Sequence, residues 1–452
     1  MATRTEKDTL GTVEVPQEAY YGAQTARAVA NFPISGLPPH PDFVWGVLVI
    51  KKCAALANMS TGRLRVEVGE AIVQAADEAL QGQLDAHFVV DPFQAGAGTS
   101  HNMNVNEVLA NRAAEILGGS RGDYLLVHPN DHVNMAQSTN DVIPTAIRLA
   151  SLRMLNGLLP QLAALREAFR AKGDEFDRIL TSGRTHMQDA VPIRLGQQFA
   201  AFAVAVDRSM QGLDATSVLL NEVGLGGTAV GTGLSAEPEY IDRVIPLLIH
   251  ETGFPLYPAE DLVEATWNMD PFVALAAALK RLAVTLAKIC EDLRLLSSGP
   301  RTGLNEINLP AVQPGSSIMP GKVNPVITEM TSMVCFQVMG AETAVSVAAQ
   351  AGRLQLNVMM PLIAWNLLFS MQILTSAVER LASSCVEGIT ANEGRCGRFL
   401  EESVGLATVL APSIGYAAAA EVAKESVRTG RSIREIILAR QLLSEQEMAS
   451  IL

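Results

Sequence analysis

Leu275, Leu282, Ile289 and Leu296 recur every seven residues, and Leu279, Leu286 and Leu293 recur in the same way four positions later. An a/d seam of this kind, kept for three heptads, buries its apolar edge only against another long helix. It commits the middle of the chain to a helix bundle. The ends are marked as well: Asp270 can cap, Pro271 suits the first helical position, and Gly299-Pro300 stops the helix. A helix is expected over residues 270 to about 298.

Similar stripes occur at Leu159, Leu162, Leu165 and Phe169, and at Phe199, Phe202, Val206, Met210 and Leu213, with Pro192 near the expected start. Another helix is expected after Pro325, to about residue 349. A further one follows Pro361 and carries Leu362, Trp365, Phe369, Leu374, Val378 and Leu381. Abundant Ala lets such helices form readily and approach closely. The expected fold class is all-α. Upstream, the Pro-rich stretch 33–41 breaks the pattern, and short strands are expected at residues 12–15 and 87–90. Past about residue 393 the helices shorten, and capping boxes stand at Ser432 with Glu435 and at Ser444 with Glu447. These changes divide the chain into an N-terminal helical domain (1–137), a central long-helix domain (138–392) and a small C-terminal helical domain (393–452).

Charged residues make up 18% of the 452, and Lys+Arg of 34 against Asp+Glu of 47 leaves a net charge of −13. An acidic chain without a basic run repels phosphate backbones, so no nucleic-acid partner is expected. The apolar residues are dispersed among charges, and no window is expected to approach the roughly 18 uncharged apolar residues of a membrane span. The opening stretch MATRTEKDTLG lacks the apolar region of a secretory signal. A cytoplasmic protein with no membrane partner is therefore expected. Five cysteines, an odd number without a C-x-x-C, argue against a disulfide framework and against a zinc site.

Four polar or Gly-rich segments interrupt the helical pattern, and loops on rigid helices are where catalytic groups sit. The first runs from Gly96 to Asn104 and includes Thr99; a capped helix start explains it equally well. The second runs from Asn130 to Asp141, just before an apolar helix expected near Val142. Its Ser138, Thr139, Asn140 and Asp141 exceed what capping needs, and a helix N-terminus offers amide donors and a positive dipole end to a carboxylate. The third, Gly183 to Pro192, holds Thr185 and His186, where a structural and a catalytic histidine are equally good readings. The fourth, Gln313 to Pro325, places Ser316, Ser317, Lys322 and Asn324 within one loop bounded by Pro and Gly. A surface linker accounts for its Gly, Pro and Ser but not for the string G-S-S-x-M-P-x-K-x-N-P.

That string resembles the signature of the aspartase/fumarase superfamily, and the other three segments resemble the superfamily's further blocks in the same order. The resemblance covers essentially the whole chain. It implies an all-α subunit of three domains whose central long-helix bundle forms the core of a homotetramer, with each active site drawing loops from three subunits. The implied chemistry is a reversible anti-elimination from a substituted succinate through an aci-carboxylate, whose extra charge must meet preorganised donors. Carried over residue by residue, Ser316 is the base, activated as an oxyanion by its loop. Lys322, Asn324 and Thr185 hold the alpha-carboxylate. Thr99, Ser138 and Thr139 grip the carboxylate that becomes the aci-acid. Asn140 and His186 face the leaving group, and Glu329 pairs with the histidine. A small dicarboxylate is the implied substrate, and neither metal nor organic cofactor is implied.

Within the superfamily, hydratases typically read G-S-G-T and Q-S-S-N-D, whereas this chain has Gly96-Ala97-Gly98-Thr99 and Gln137-Ser138-Thr139-Asn140-Asp141, the forms seen in aspartases. Residues 257–262 and 303–310 also look aspartase-like, while 225–234 is shared with hydratases. Met360 stands where the family usually has Glu or Arg. The resemblance thus implies loss of ammonia from L-aspartate to give fumarate, with fumarate hydration or an amine lyase acting on an aspartate analogue as alternatives.

Overall fold

The computed structural model describes residues 2–451. Among them the chain forms sixteen α-helices, and its short strands make four two-stranded sheets. It divides into two compact units: Met1–Leu159, Gln211–Ala283 and Phe336–Thr375 in the first, and Pro160–Met210, Val284–Cys335 and Ser376–Leu452 in the second.

The chain opens with an antiparallel hairpin of β1 (Thr3–Asp8) and β2 (Gly11–Pro16), then α1 (Ala23–Asn31), α2 (Pro41–Ser60), α3 (Val66–Leu80) and α4 (Thr99–Ile116). Pro41 starts α2, where its missing N–H costs nothing, and the His40 ring accepts the Asp42 N–H at 3.2 Å. Next come α5 (Thr139–Glu175), the antiparallel pair β3 (Leu180–Thr185) and β4 (Gln188–Arg194), and α6 (Leu195–Ser217). β5 (Glu222–Val223) and β6 (Tyr257–Pro258) pair on either side of α7 (Pro238–Thr252), ahead of α8 (Leu262–Trp267) and α9 (Asp270–Leu296). β7 (Ile307–Asn308), α10 (Val326–Gln350), α11 (Met360–Ser384) and β8 (Thr390–Ala391) follow. Five short helices close the chain: α12 (Glu393–Glu402), α13 (Leu406–Ile414), α14 (Tyr416–Thr429), α15 (Ile433–Ala439) and α16 (Glu445–Ile451). The boundaries between the units fall inside α5, α6, α9, α10 and α11.

All seven residues of the heptad seam are buried along α9, as its spacing demands. The last helices build a core of their own from Leu406, Leu410, Val422, Ile433, Ile436 and Met448. Both expected capping boxes form: Ser432 with Glu435, and Ser444 with Glu447.

Three expectations are corrected. Residues 87–90 form no strand, because the Asn104 side chain satisfies the segment's backbone in place of a partner strand. Its Oδ1 accepts the Val89 N–H at 3.0 Å and its Nδ2 donates to the His87 carbonyl at 2.9 Å. Pro192 lies in β4 opposite Ser182, so α6 begins at Leu195, and the segment from Gly183 to Pro192 is part of a hairpin. Finally, α2, α5, α10 and α11 are long and apolar enough to cross a membrane by length and composition. In α2 and α5, 72% of the apolar window is buried within the protein, which accounts for their hydropathy by packing.

Candidate active site

Asp141 organises the start of α5. Its Oδ1 accepts the Ser138 N–H at 2.9 Å, while Ser138 Oγ accepts the Asn140 N–H at 3.2 Å, so the helix is capped from both directions. The other Asp141 oxygen accepts the N–H groups of Gly226 and Thr228 at 3.1 and 3.0 Å, and the Asn140 side chain donates to the Ala229 carbonyl at 2.7 Å. The Gly-rich stretch 225–234 is thereby fastened to the helix end. Gly226 is required there, since its φ is +98° and a Cβ would come within 2.7 Å of Ile241. Burial raises the Asp141 carboxyl to about 6, against the pull of these hydrogen bonds.

Lys51 on α2 is fully buried, and its Nζ donates to Asn134 Oδ1 at 2.7 Å and Gln137 Oε1 at 2.9 Å. Desolvation lowers its ammonium to about 7. The amides of Asn102 and Asn106 on α4 donate to the same Asn134 oxygen at 3.1 and 3.2 Å. Asn102 also donates to Thr139 Oγ1 at 3.2 Å, which links α4 to the start of α5. The start of α4 is itself shaped by a left-handed turn at Ala97 and Gly98, with the Ala97 N–H donating to the Val358 carbonyl at 2.8 Å. Thr99 is exposed there, and Ser138, Thr139 and Asn140 are half-buried. Two helix N-termini thus hold four neutral polar side chains in the first unit, and their dipoles favour an anion.

The second unit holds the remaining candidates. Thr185 and His186 sit at the tip of the β3–β4 hairpin, where Thr185 pairs with Gln188 and the two-residue turn is His186-Met187. Both turn residues have positive φ, 54° and 61°, in a position that usually takes Asn-Gly. The Ser316 loop closes on itself: the Gly315 N–H donates to the Lys322 carbonyl at 2.8 Å, and Asn324 Nδ2 donates to the Gly315 carbonyl at 2.7 Å. Within it, Ser316 Oγ accepts the N–H groups of Ile318 and Met319 at 3.2 and 3.0 Å. Two amides on one hydroxyl oxygen favour its ionised form. Lys322 is exposed. Glu329 lies 3.9 Å from Arg294, and among the described residues no ion pair joins it to His186 of the same chain.

The first unit therefore holds Thr99, Ser138, Thr139 and Asn140, and the second holds Thr185, His186, Ser316, Lys322, Asn324 and Glu329. Reading the sequence alone missed Lys51 and the organising role of Asp141. The available signal was a Lys-Lys pair inside the apolar run of α2, a pattern that a surface helix also produces.

A family profile described as "Lyase" matches residues 11–340, and one described as "Fumarase C C-terminus" matches residues 406–452. The chain is 48% identical over 449 residues to an aspartate ammonia-lyase of Bacillus subtilis, covering 99% of this chain and 94% of that one. It is 51% identical over 454 residues to an aspartate ammonia-lyase of Pseudomonas aeruginosa, covering 100% and 96%. Among solved structures, a fumarate lyase:delta crystallin from Brucella melitensis bound to cobalt superposes with a TM-score of 0.97 at 50% identity, covering 100% and 98%. A class II fumarase from Schistosoma mansoni superposes with 0.96 at 38% identity, with the same coverage. The chain belongs to the aspartase/fumarase superfamily of lyases.

Proposed function

We propose that this enzyme is an ammonia-lyase that converts L-aspartate reversibly to fumarate and ammonia. The observation that carries the reading is near full-length identity of 48–51% to proteins named aspartate ammonia-lyase. Thr139 and Ala97, in the forms seen in aspartases, support it.

In this reading Ser316 removes the proton from the carbon next to a carboxylate, helped by the two amides that its oxygen accepts. The electron pair moves onto that carboxylate as an aci-acid, held by Thr99, Ser138 and Thr139 at the two helix N-termini. Collapse of the aci-acid forms the alkene and expels ammonia, which Asn140 and His186 face. Lys322, Asn324 and Thr185 hold the alpha-carboxylate. Glu329 orients the histidine of a neighbouring subunit.

The three-domain division and a homotetramer with active sites at subunit junctions belong to the same proposal, as does a cytoplasmic location. Support for assembly comes from α10, where Met333, Phe336 and Val347 form an exposed apolar stripe. Purified protein given L-aspartate should release ammonia and fumarate in equal amounts. Fumarate formed from L-malate, with none from aspartate, would overturn the reading in favour of a hydratase.

A further inference from the structure

We infer that Glu306 is a positioning residue for the hairpin tip that carries Thr185 and His186, an inference that rests on the role given to His186 above. Glu306 belongs to the stretch 303–310 and is fully buried. Both its carboxylate oxygens are engaged by β3: one accepts from the Arg184 guanidinium at 2.8 Å, and the other accepts the Thr181 hydroxyl. The backbone of the same residue ties two further elements. Its N–H donates to the Leu296 carbonyl at the end of α9, and its carbonyl accepts the Asn392 N–H just before α12, each at 2.8 Å.

The hairpin is braced a second time by the chain that follows. The Arg184 guanidinium stands 5.0 Å from the centre of the Phe399 ring, which Arg395 also faces at 4.4 Å. Ser182 Oγ donates to Ser403 Oγ at 2.9 Å, and Asp189 accepts the Val404 N–H at 3.3 Å. Gly405 packs so close that a Cβ would come within 1.5 Å of the Ala190 carbonyl oxygen. Only the tip is left outside this frame, and Thr185, His186, Met187 and Gln188 are exposed.

A buried ion pair contributes little net stability over a well-packed apolar replacement, and its best-attested use is to specify one arrangement among several. Here the arrangement at stake is strand register. The β3–β4 pairing shifts between Ser182 and Arg184, and a slip of one residue would turn Thr185 to the other face and move His186 out of its place in the turn. Arg184 is the residue before Thr185, so the pair acts where a slip would begin. The left-handed backbone at His186 and Met187 is strained and persists only where its surroundings hold it.

The test uses the full-length enzyme with Glu306→Gln, which keeps the volume and one acceptor and removes the charge. The kcat/KM for L-aspartate should fall about ten-fold or more, chiefly through KM, as expected when a binding group is displaced. In a Thr185→Ala, His186→Asn background the same substitution should change kcat/KM by less than about two-fold, because the two side chains through which Glu306 acts are already gone. Glu306→Asp should recover part of the loss. Crystal structures of wild type and Glu306→Gln in one crystal form should show the tip displaced. An unmoved tip, or a loss of the same size in the doubly substituted background, would overturn the inference. If Glu306→Gln does not fold, Arg184→Lys carries the same measurements. If the unsubstituted enzyme fails to turn over aspartate, the proposed function fails on its own, and the displacement of the tip still decides the role of Glu306.

Discussion

Lys51 Nζ lies 2.7 Å from Asn134 Oδ1, a buried amine aimed at the loop that leads into α5. Its second hydrogen bond, to Gln137 Oε1, means that the two hydrogens of a neutral amine are enough to satisfy both acceptors. The sign of the linkage follows. An unfolded lysine titrates near 10.5 and this one near 7, so below pH 7 both states hold the proton and the burial penalty is complete. Between pH 7 and 10.5 the unfolded state binds more protons, and the penalty fades as pH rises. The stability of wild type relative to Lys51→Met should therefore increase across that window, as read from denaturant midpoints. Above pH 10.5, where the amine is neutral in both states, the Met variant should lose about 1–3 kcal/mol for the unmet Gln137 Oε1, since Asn134 Oδ1 keeps the amides of Asn102 and Asn106. A difference that does not vary with pH would show that the amine is not desolvated.

Gly226→Ala tests the fastening of the Gly-rich stretch to Asp141. An Ala there meets both the positive φ and the side chain of Ile241, so a cost of about 2–3 kcal/mol is expected. The Gly226 N–H is one of the donors to Asp141, so the start of α5 should loosen too. Thermal unfolding gives the first effect, and a raised KM for aspartate gives the second. Unchanged values of both would show that the stretch is free to move without consequence.

Much of this fold was legible because helix periodicity is local. The seam from Leu275 to Leu296, with Asp270-Pro271 and Gly299-Pro300 at its ends, defined α9 to within two residues, and Pro325 and Pro361 marked the starts of α10 and α11. The β3–β4 hairpin was not legible in the same way. Its bracing depends on Glu306, more than a hundred residues away, and Gly183 and Pro192 break the alternation that would announce strands. Asn104 likewise suppresses a strand at residues 87–90 through side-chain bonds that no window of sequence reveals. The polar loops could be found from composition alone. Which of their side chains face substrate and which, like Asp141, hold the backbone is decided by burial.

Ser316→Ala should separate chemistry from structure. The serine is only half-buried, and its oxygen accepts two loop amides without filling a core position, so the melting temperature should stay within a few degrees. Removal of the proposed base should lower kcat by about 10²-fold or more while leaving KM nearly unchanged. Turnover within a few-fold of wild type would assign proton removal to another group.

Lys322→Met addresses the cation proposed to receive a substrate carboxylate. The chain carries a net charge of −13, so a dicarboxylate approaches against the overall field and must be met by a local positive charge. The Lys322 backbone is already committed to the loop through its carbonyl and N–H, and its side chain is exposed, so substitution should leave the loop's own bonds intact. Loss of one charge-assisted contact corresponds to about 1.5–3 kcal/mol, or a KM for aspartate raised about ten-fold or more. The wild-type KM should rise with added salt, and that dependence should weaken in the Met variant, because one of the screened charges is gone. Equal salt sensitivity in the two proteins would mean that the substrate carboxylate is held by neutral donors and helix ends alone.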